Sequence, residues 1–126
     1  MEPRLHLRLY FDDIPFGPGK AALLRHIAEQ GSISAAGRAM GMSYKRAWDL
    51  VEEMNALFAA PLVATARGGA AKGGATVTPA GQEVLTHYRA LMDLVAGQGA
   101  GHLAAISGLL APRLRGDSPQ DPAPQD

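Results

Sequence analysis

Residues 31–58 read GSISAAGRAMGMSYKRAWDLVEEMNALF, and the spacing of small and apolar residues in this stretch predicts two helices joined by a tight turn. Ser34 is predicted to cap a short first helix that ends at Gly41, and Ser43 to cap the second helix. A three-residue turn that contains glycine, as here, is typical of a helix-turn-helix unit. Gly37 lies four residues before the turn glycine, where the two helices are expected to approach each other closely.

The second helix of this unit divides into an apolar face and a polar leading end. Its apolar positions form the predicted inward stripe, which consists of Ala47, Leu50, Val51, Met54, Leu57 and Phe58. The residues outside that stripe near the leading end are Ser43, Tyr44, Lys45, Arg46 and, one turn beyond the tyrosine, Trp48. Lysine and arginine can bond the acceptors of guanine, serine can bond phosphate, and tyrosine can do either. Two adjacent charges alone are more typical of a solvated face, and Trp48 is equally compatible with core or dimer packing. The DNA-binding prediction therefore depends on the architecture around these residues.

A glycine-rich, basic loop follows the helix-turn-helix unit. Residues 62–65 and 76–78 are predicted as short strands, and the loop between them contains Arg67 and Lys72. The loop lacks the Gly-Lys-Ser/Thr ending of a nucleotide-binding loop and does not open a helix, which argues against a nucleotide site. Its position between two strands instead predicts a wing whose two cations contact the DNA backbone or an adjacent minor groove.

The flanking segments complete a mainly α fold with a small β component. Residues 4–11 alternate between apolar and polar side chains and predict an N-terminal strand, and residues 12–17 are expected to break it. A first helix is predicted from Pro18 to Gly31, and a long fourth helix begins at Pro79 behind a Thr78 cap. Residues 103–110 predict a short fifth helix. The expected organisation is therefore one winged helix-turn-helix domain over residues 1–111 and a disordered tail over residues 112–126.

The composition narrows the function further. Twelve basic and twelve acidic residues give a net charge of zero, which argues against a protein that coats nucleic acid by bulk charge but not against a sequence-specific reader. The chain has no cysteine and no apolar run long enough to span a bilayer, so we expect a cytoplasmic protein without membrane contact. No triad, paired-carboxylate or His-x-x-x-His pattern is present, and the histidines and methionines are scattered. We therefore predict no catalytic residue, no metal site and no cofactor.

The chain resembles the N-terminal domain of the ModE family of bacterial molybdate-responsive transcriptional regulators, which is itself similar to the DNA-binding part of LysR-type regulators. The resemblance is carried by GSIS at 31–34, SYK at 43–45, AWD at 47–49 and EMN at 53–55 followed by Leu57. It continues through Leu62-Val63, the paired glycines of the loop, Thr78 and Gly81, and it runs from about residue 5 to residue 95.

The resemblance implies a DNA-binding transcriptional regulator that binds operator half-sites as a homodimer. Carried over by position, Ser43, Tyr44, Lys45 and Arg46 belong to the DNA-reading end of the helix, and Arg67 and Lys72 belong to the wing. Ser34 and Trp48 complete the predicted set of DNA-binding residues. The N-terminal strand and the long fourth helix are implied to form the dimer. The residues predicted for this interface are Leu7, Leu9, Val84, Tyr88, Leu91 and Val95. Arg46 departs from the small residue that the family has after the lysine, so we expect a different operator.

The expected effector and the alternative function depend on features of the family that do not stand out in this sequence. Full-length family members continue into molbindin-type domains that bind the oxyanion, and no oxyanion site stands out in this sequence, so we expect a stand-alone domain that does not sense molybdate by that route. A link to molybdenum or other metal metabolism is still implied. The alternative function is a winged-helix adaptor that docks a separate effector-binding protein. Strong salt dependence of DNA binding would distinguish the regulator from the adaptor.

Overall fold

The computed structural model describes residues 2–66 and 74–115, and in these ranges helices predominate over short strands. In chain order the elements are β1 (Leu9–Phe11), β2 (Ile14–Phe16), α1 (Pro18–Gln30), α2 (Ile33–Ala39), α3 (Tyr44–Leu57), β3 (Val63–Thr65), β4 (Ala75–Val77), α4 (Pro79–Gln98) and α5 (Ala100–Gly108). The strands form two antiparallel pairs, β1 with β2 and β3 with β4. The predicted class, mainly α with a small β component, is confirmed.

By its internal contacts the chain divides into two compact units. The unit His6–Ala90 contains both strand pairs, the first three helices and the first part of α4. The second unit comprises Met1–Leu5 and Leu91–Asp126, and its described part holds the end of α4 and all of α5. None of the helices in the described ranges is both long enough and apolar enough to cross a membrane. The predicted tail is described only as far as Arg115, and residues 112–115 form turns.

The N-terminal segment forms a shorter strand than the sequence predicts. Only Leu9–Phe11 is paired, because its partner β2 is itself only three residues long. The prediction that residues 12–17 merely break the strand was wrong, since the chain turns at Asp12 and returns as β2. Asp12 has a φ of 54°, in the left-handed region that aspartate tolerates better than most residues. The predicted alternation nevertheless holds along the segment, with Leu7 and Leu9 half-buried and Arg8 and Tyr10 exposed.

A buried lysine joins three elements of the larger unit. Lys20, in the first turn of α1, is only 6% exposed. Its Nζ donates a hydrogen bond to the Pro15 carbonyl oxygen of β2 at 2.5 Å and forms an ion pair with Glu53 of α3, also at 2.5 Å. An ammonium group taken out of water is tolerated only when it is paired in this way. The two contacts therefore hold α1, β2 and α3 in one arrangement.

The helix-turn-helix unit lies where the sequence predicts it, with one change of cap. Ser32, not Ser34, caps α2, because Ser32 has the extended backbone of a cap and its hydroxyl accepts a bond from the Ala35 N–H at 3.1 Å. Ser43 caps α3 as predicted and accepts a bond from the Arg46 N–H at 3.0 Å. Gly41 has a φ of 72°, which a side chain would strain, and it turns the chain sharply between the helices.

The two helices approach each other at Gly37, as predicted. A β-carbon placed on Gly37 would lie 3.0 Å from the β-carbon of Ala47, which is tighter than normal packing allows. The inward stripe of α3 is buried at Ala47, Leu50, Val51 and Met54 and half-buried at Leu57, while Phe58 follows the helix as its C-cap. This packing directs the beginning of α3 away from the core.

The first wing strand is attached to α3 by one asparagine. The Asn55 side-chain oxygen accepts bonds from the N–H groups of Leu62 (2.8 Å) and Val63 (3.1 Å), and its nitrogen donates to the Val63 carbonyl oxygen at 3.1 Å. At the other strand, the Ala75 N–H donates to the Gly31 carbonyl oxygen at 2.9 Å. One wing strand is thereby attached to α3, and the other is attached to the C-cap of α1.

The fourth helix begins with the predicted cap. The Thr78 hydroxyl accepts a bond from the Gly81 N–H at 3.1 Å and donates one to the Pro61 carbonyl oxygen at 2.7 Å. At its other end α4 stops at Gln98, and Gly99 separates it from α5. The threonine therefore joins the start of α4 to the end of the α3–β3 connection.

We expect Glu53→Gln to lower the free energy of unfolding by about 1–2 kcal/mol, because the Lys20 ammonium loses its charged partner while it remains buried. Glu52→Gln is the matched control. It removes the same charge from the neighbouring exposed position, where no ion pair is formed with any described residue, and we expect a change within about 0.5 kcal/mol. Urea unfolding followed by circular dichroism measures both. Equal effects of the two substitutions would contradict a structural role of the ion pair.

Candidate nucleic-acid interface

The beginning of α3, here called the α3 tip, is exposed at four consecutive residues, Ser43 to Arg46. The Tyr44 side chain is 60% exposed, Lys45 is 84% exposed, and Ser43 and Arg46 are also exposed. The same helix buries its apolar stripe a turn later, so its first turn projects from the surface while its remaining length is anchored. This is the geometry that a recognition helix needs to enter a major groove with its N-terminal end.

The cations at this end differ in their partners. Lys45 Nζ donates a hydrogen bond to the Asp49 carboxylate at 2.9 Å, an ion pair between residues one turn apart on the same face of α3. Arg46 forms no side-chain hydrogen bond or ion pair with a residue in the described ranges, and only its backbone N–H is bonded, to the Ser43 hydroxyl. The Arg46 guanidinium thus keeps all its donors available to an external acceptor.

The aromatic pair beside these cations lines a cleft. The rings of Tyr44 and Trp48 meet edge to face, with centroids 6.1 Å apart and planes inclined at 71°. Trp48 is half-buried, and its Nε1 is buried without a hydrogen-bond partner in the described part of the chain. The pair and the base of the wing enclose a cleft of about 230 Å³, which is lined by Ile33, Ser34, Tyr44, Trp48, Thr65, Ala66 and Gly74. The structure therefore brings three of the predicted DNA-binding residues, Ser34, Tyr44 and Trp48, to one cleft.

Ser34 lies inside α2 and has a partner that the sequence analysis missed. Its hydroxyl accepts a bond from Arg38 Nη1 at 2.8 Å, and both residues lie on the outer side of α2. Arg38 is an exposed cation that is attached in this way to a residue lining the cleft. The spacing of four residues between the serine and the arginine is the signal in the sequence from which this contact could have been predicted.

The wing is described at its base but not along its loop. The strands pair in the register Val63↔Val77 and Thr65↔Ala75, and the Ala66 N–H donates to the Gly74 carbonyl oxygen at 2.9 Å. The predicted wing cations Arg67 and Lys72 lie outside the described residues. Within the described ranges, no group of three or more histidine, aspartate or glutamate side chains lies close enough together to hold a metal ion.

The residues assigned to a dimer interface fall into different environments. Leu7, Leu9 and Val84 are half-buried, and Tyr88 is 7% exposed, with its hydroxyl donating to the Leu7 carbonyl oxygen at 2.5 Å. Burial raises the pKa of Tyr88, which favours the neutral phenol that this bond requires. Tyr88 therefore makes its contact within its own chain. Further along α4, Leu91 and Val95 are each 40% exposed.

Sequence comparison identifies the protein family of this chain. Residues 20–82, half of the chain, match the family described as bacterial regulatory helix-turn-helix protein, lysR family. The chain belongs to this family. The matched LysR-family segment runs from the first turn of α1 to the first turn of α4, so it includes the helix-turn-helix unit and both wing strands. The predicted resemblance to LysR-type regulators is confirmed.

Curated relatives of the chain carry names that refer to molybdenum or to ModE. The chain is 53% identical over 75 residues to the molybdenum-pterin-binding protein MopB of Rhodobacter capsulatus, covering 60% of this chain and 28% of that protein. It is 41% identical over 91 residues to the DNA-binding transcriptional dual regulator ModE of Escherichia coli K12, covering 72% of this chain and 33% of that protein. The chain spans about a third or less of the length of these relatives, and the predicted resemblance to the ModE N-terminal domain is confirmed.

We expect Asn55→Ala to lower the free energy of unfolding by about 1–3 kcal/mol, because the N–H groups of Leu62 and Val63 lose their acceptor. Asn55→Asp is the matched control. It keeps the accepting oxygen but sets a second oxygen against the Val63 carbonyl, so we expect the N–H groups of Leu62 and Val63 to stay better protected from exchange than in the alanine variant. Amide hydrogen exchange measured by NMR reports on both backbone groups directly. Unchanged exchange at Leu62 and Val63 in the alanine variant would show that Asn55 does not hold the wing strand.

Proposed function

We propose that this chain is a sequence-specific DNA-binding transcriptional regulator of the ModE type that binds operator half-sites as a homodimer. The observation that carries the proposal is the exposed first turn of α3, which presents Tyr44, Lys45 and Arg46 beyond a buried apolar stripe. A first turn that carries two cations and no acidic residue is poorly suited to stabilising its own helix, whose N-terminus already has a partial positive charge. It is well suited to the acceptors of a DNA groove.

The proposed contacts divide into those that read bases and those that hold the backbone. Lys45 and Arg46 read base edges, because both are at the leading turn and both present donors outward. Ser34, Ser43 and Tyr44 bond phosphates on the flanks, together with the wing cations Arg67 and Lys72. Trp48 supports the Tyr44 ring from its half-buried position, and Arg38 joins the backbone contacts through its bond to Ser34.

The homodimer is supported by an apolar surface on the second unit. On the last turns of α4, Leu91 and Val95 are each 40% exposed and Leu94 is 58% exposed. Ile106 on α5 is 62% exposed, and Leu109, the C-cap that follows this helix, is 86% exposed. Several large apolar side chains left exposed within one short stretch are typical of a protein–protein interface. A second copy is the proposed occupant, because two-fold related half-sites require two equivalent recognition helices.

The regulated genes are proposed to belong to molybdenum or other metal metabolism. The names of the relatives MopB and ModE support this, since one refers to molybdenum-pterin binding and the other to DNA-binding transcriptional regulation. Genomic fragments bound by the chain in cells, recovered with and without molybdate, test the link. Enrichment upstream of metal-transport or molybdoenzyme genes supports it, and enrichment elsewhere contradicts it. The absence of any enriched fragment favours the adaptor that docks a separate effector-binding protein.

We expect Lys45→Ala and Arg46→Ala each to weaken binding to a recovered genomic site by about 1–3 kcal/mol, mainly through one base position. Fluorescence anisotropy with the recovered site, its single-base variants and a random duplex measures the effect. Arg25→Ala is the matched control, because Arg25 is an exposed arginine on α1, outside the α3 tip, and we expect little change. Equal losses on specific and random duplexes for both tip variants would contradict base reading by the tip.

We expect Leu91→Asp to convert the dimer to a monomer, because a carboxylate in an apolar interface would lose its hydration. Analytical ultracentrifugation measures the mass, and circular dichroism checks that the helices persist. Thr86→Asp is the control, since it introduces the same charge at an exposed position more than a third of a turn away around α4. An unchanged dimer mass for the Leu91 variant would remove this face of α4 from the interface.

A further inference from the structure

The ion pair between Lys45 and Asp49 has a consequence that the assignment of DNA contacts does not include. Asp49 lies four residues after Lys45, so it faces the same side of α3 and lies about 6 Å further from the leading end. Its side chain is 50% exposed, and its Oδ2 accepts the bond from the 84%-exposed lysine. An acidic group is therefore part of the surface that the proposed function places in a DNA groove.

Helix stability explains this pair poorly. A lysine in the first turn is disfavoured by the helix dipole, whose positive end lies there. The order lysine then aspartate is also the less favourable orientation of a pair spaced by four residues. Both groups are largely in solvent, where such pairs stabilise a protein very little. The position of each charge is thus better explained by what the surface contacts than by what it contributes to α3.

We propose, on the basis of the proposed function, that Asp49 is a specificity-determining residue that suppresses the binding of Lys45 to arbitrary DNA. Non-specific binding depends on cations that neutralise phosphates. In this structure the exposed ammonium of Lys45 is already paired with the Asp49 carboxylate, and a carboxylate on the same face repels phosphates. Asp49 therefore weakens binding to every duplex that offers only its backbone.

A specific DNA site can offer hydrogen-bond partners to both Lys45 and Asp49. In the major groove, guanine offers two acceptors to lysine and cytosine offers an amino donor to a carboxylate. A base pair or step with both groups can separate the Lys45–Asp49 pair and give each partner a new bond. A site without them leaves either the pair intact or one charge unpaired. Discrimination thus arises from a penalty on wrong sites as well as from contacts to the right one.

The test compares Asp49→Asn and Asp49→Ala with Glu52→Gln in the full chain. Glu52 is an exposed acid on the same helix, about 10 Å from Lys45, which is one Debye length at 0.1 M salt. It forms no ion pair with a described residue, so its substitution gives the same charge change without freeing the lysine. Fluorescence anisotropy measures affinity for a recovered genomic site and for a random duplex over a salt series, and circular dichroism confirms that each variant is helical.

We expect both Asp49 variants to bind the random duplex about threefold to tenfold more tightly, with a salt slope steeper by about 0.9. Affinity for the genomic site rises less or falls, so the ratio of specific to random binding decreases. Glu52→Gln changes either affinity by less than about twofold. In a Lys45→Ala background, Asp49→Asn loses most of its effect on the random duplex, because there is no lysine to release.

Three results would overturn the inference in distinguishable ways. If the unaltered chain binds the genomic site specifically but the Asp49 variants keep its specificity ratio, or change no more than Glu52→Gln, Asp49 has no such role and the regulator function stands. If the unaltered chain binds no duplex DNA under any salt condition, the proposed function itself fails. An undiminished Asp49→Asn effect in the Lys45→Ala background would show that general repulsion acts, and not the ion pair.

Discussion

The arrangement of the larger unit depends on the close packing of α2 against α3 at Gly37 and Ala47. A side chain at the glycine would push the helices apart, because its β-carbon would meet the Ala47 β-carbon at 3.0 Å. With the helices in contact and Gly41 turning the chain between them, α3 can bury Ala47, Leu50 and Met54 only if its first turn points outward. The exposure of the tip is thus a consequence of how the rest of the helix is packed.

The wing follows from the same core. Asn55 lies in the last turns of α3 and satisfies backbone groups of Leu62 and Val63, so the direction of α3 also fixes where β3 begins. Ala75 is bonded to Gly31 at the end of α1, which fixes the return strand. Lys20 links α1 to α3 from the opposite side through Glu53. The packing of the first three helices therefore positions both the first turn of α3 and the base of the wing.

Local signals in the sequence predicted the elements well, and non-local pairing accounts for what they missed. Caps at Ser43 and Thr78 depend on residues within three positions, and both were predicted correctly. The strand β2 was missed because it exists only through its pairing with β1, and Pro15 within it argues against a strand. Ser32 and Ser34 both suit the cap of α2 by residue type, and only the backbone geometry shows that Ser32, not the predicted Ser34, occupies it. The ion pair of Lys45 with Asp49 could have been predicted from their spacing of four residues. The pair of Lys20 with Glu53 could not, because it joins two helices that only the tertiary fold brings together.

The hydrogen bond from the Tyr88 hydroxyl to the Leu7 carbonyl joins groups 81 positions apart along the chain. Closing so long a loop carries a large entropic penalty that is offset only after the intervening helices have packed. During synthesis on the ribosome, the segment around Leu7 emerges first, and it cannot make this contact until Tyr88 has also been synthesised. The hydrogen bond that attaches Leu7 to α4 is therefore a late contact in the formation of the larger unit.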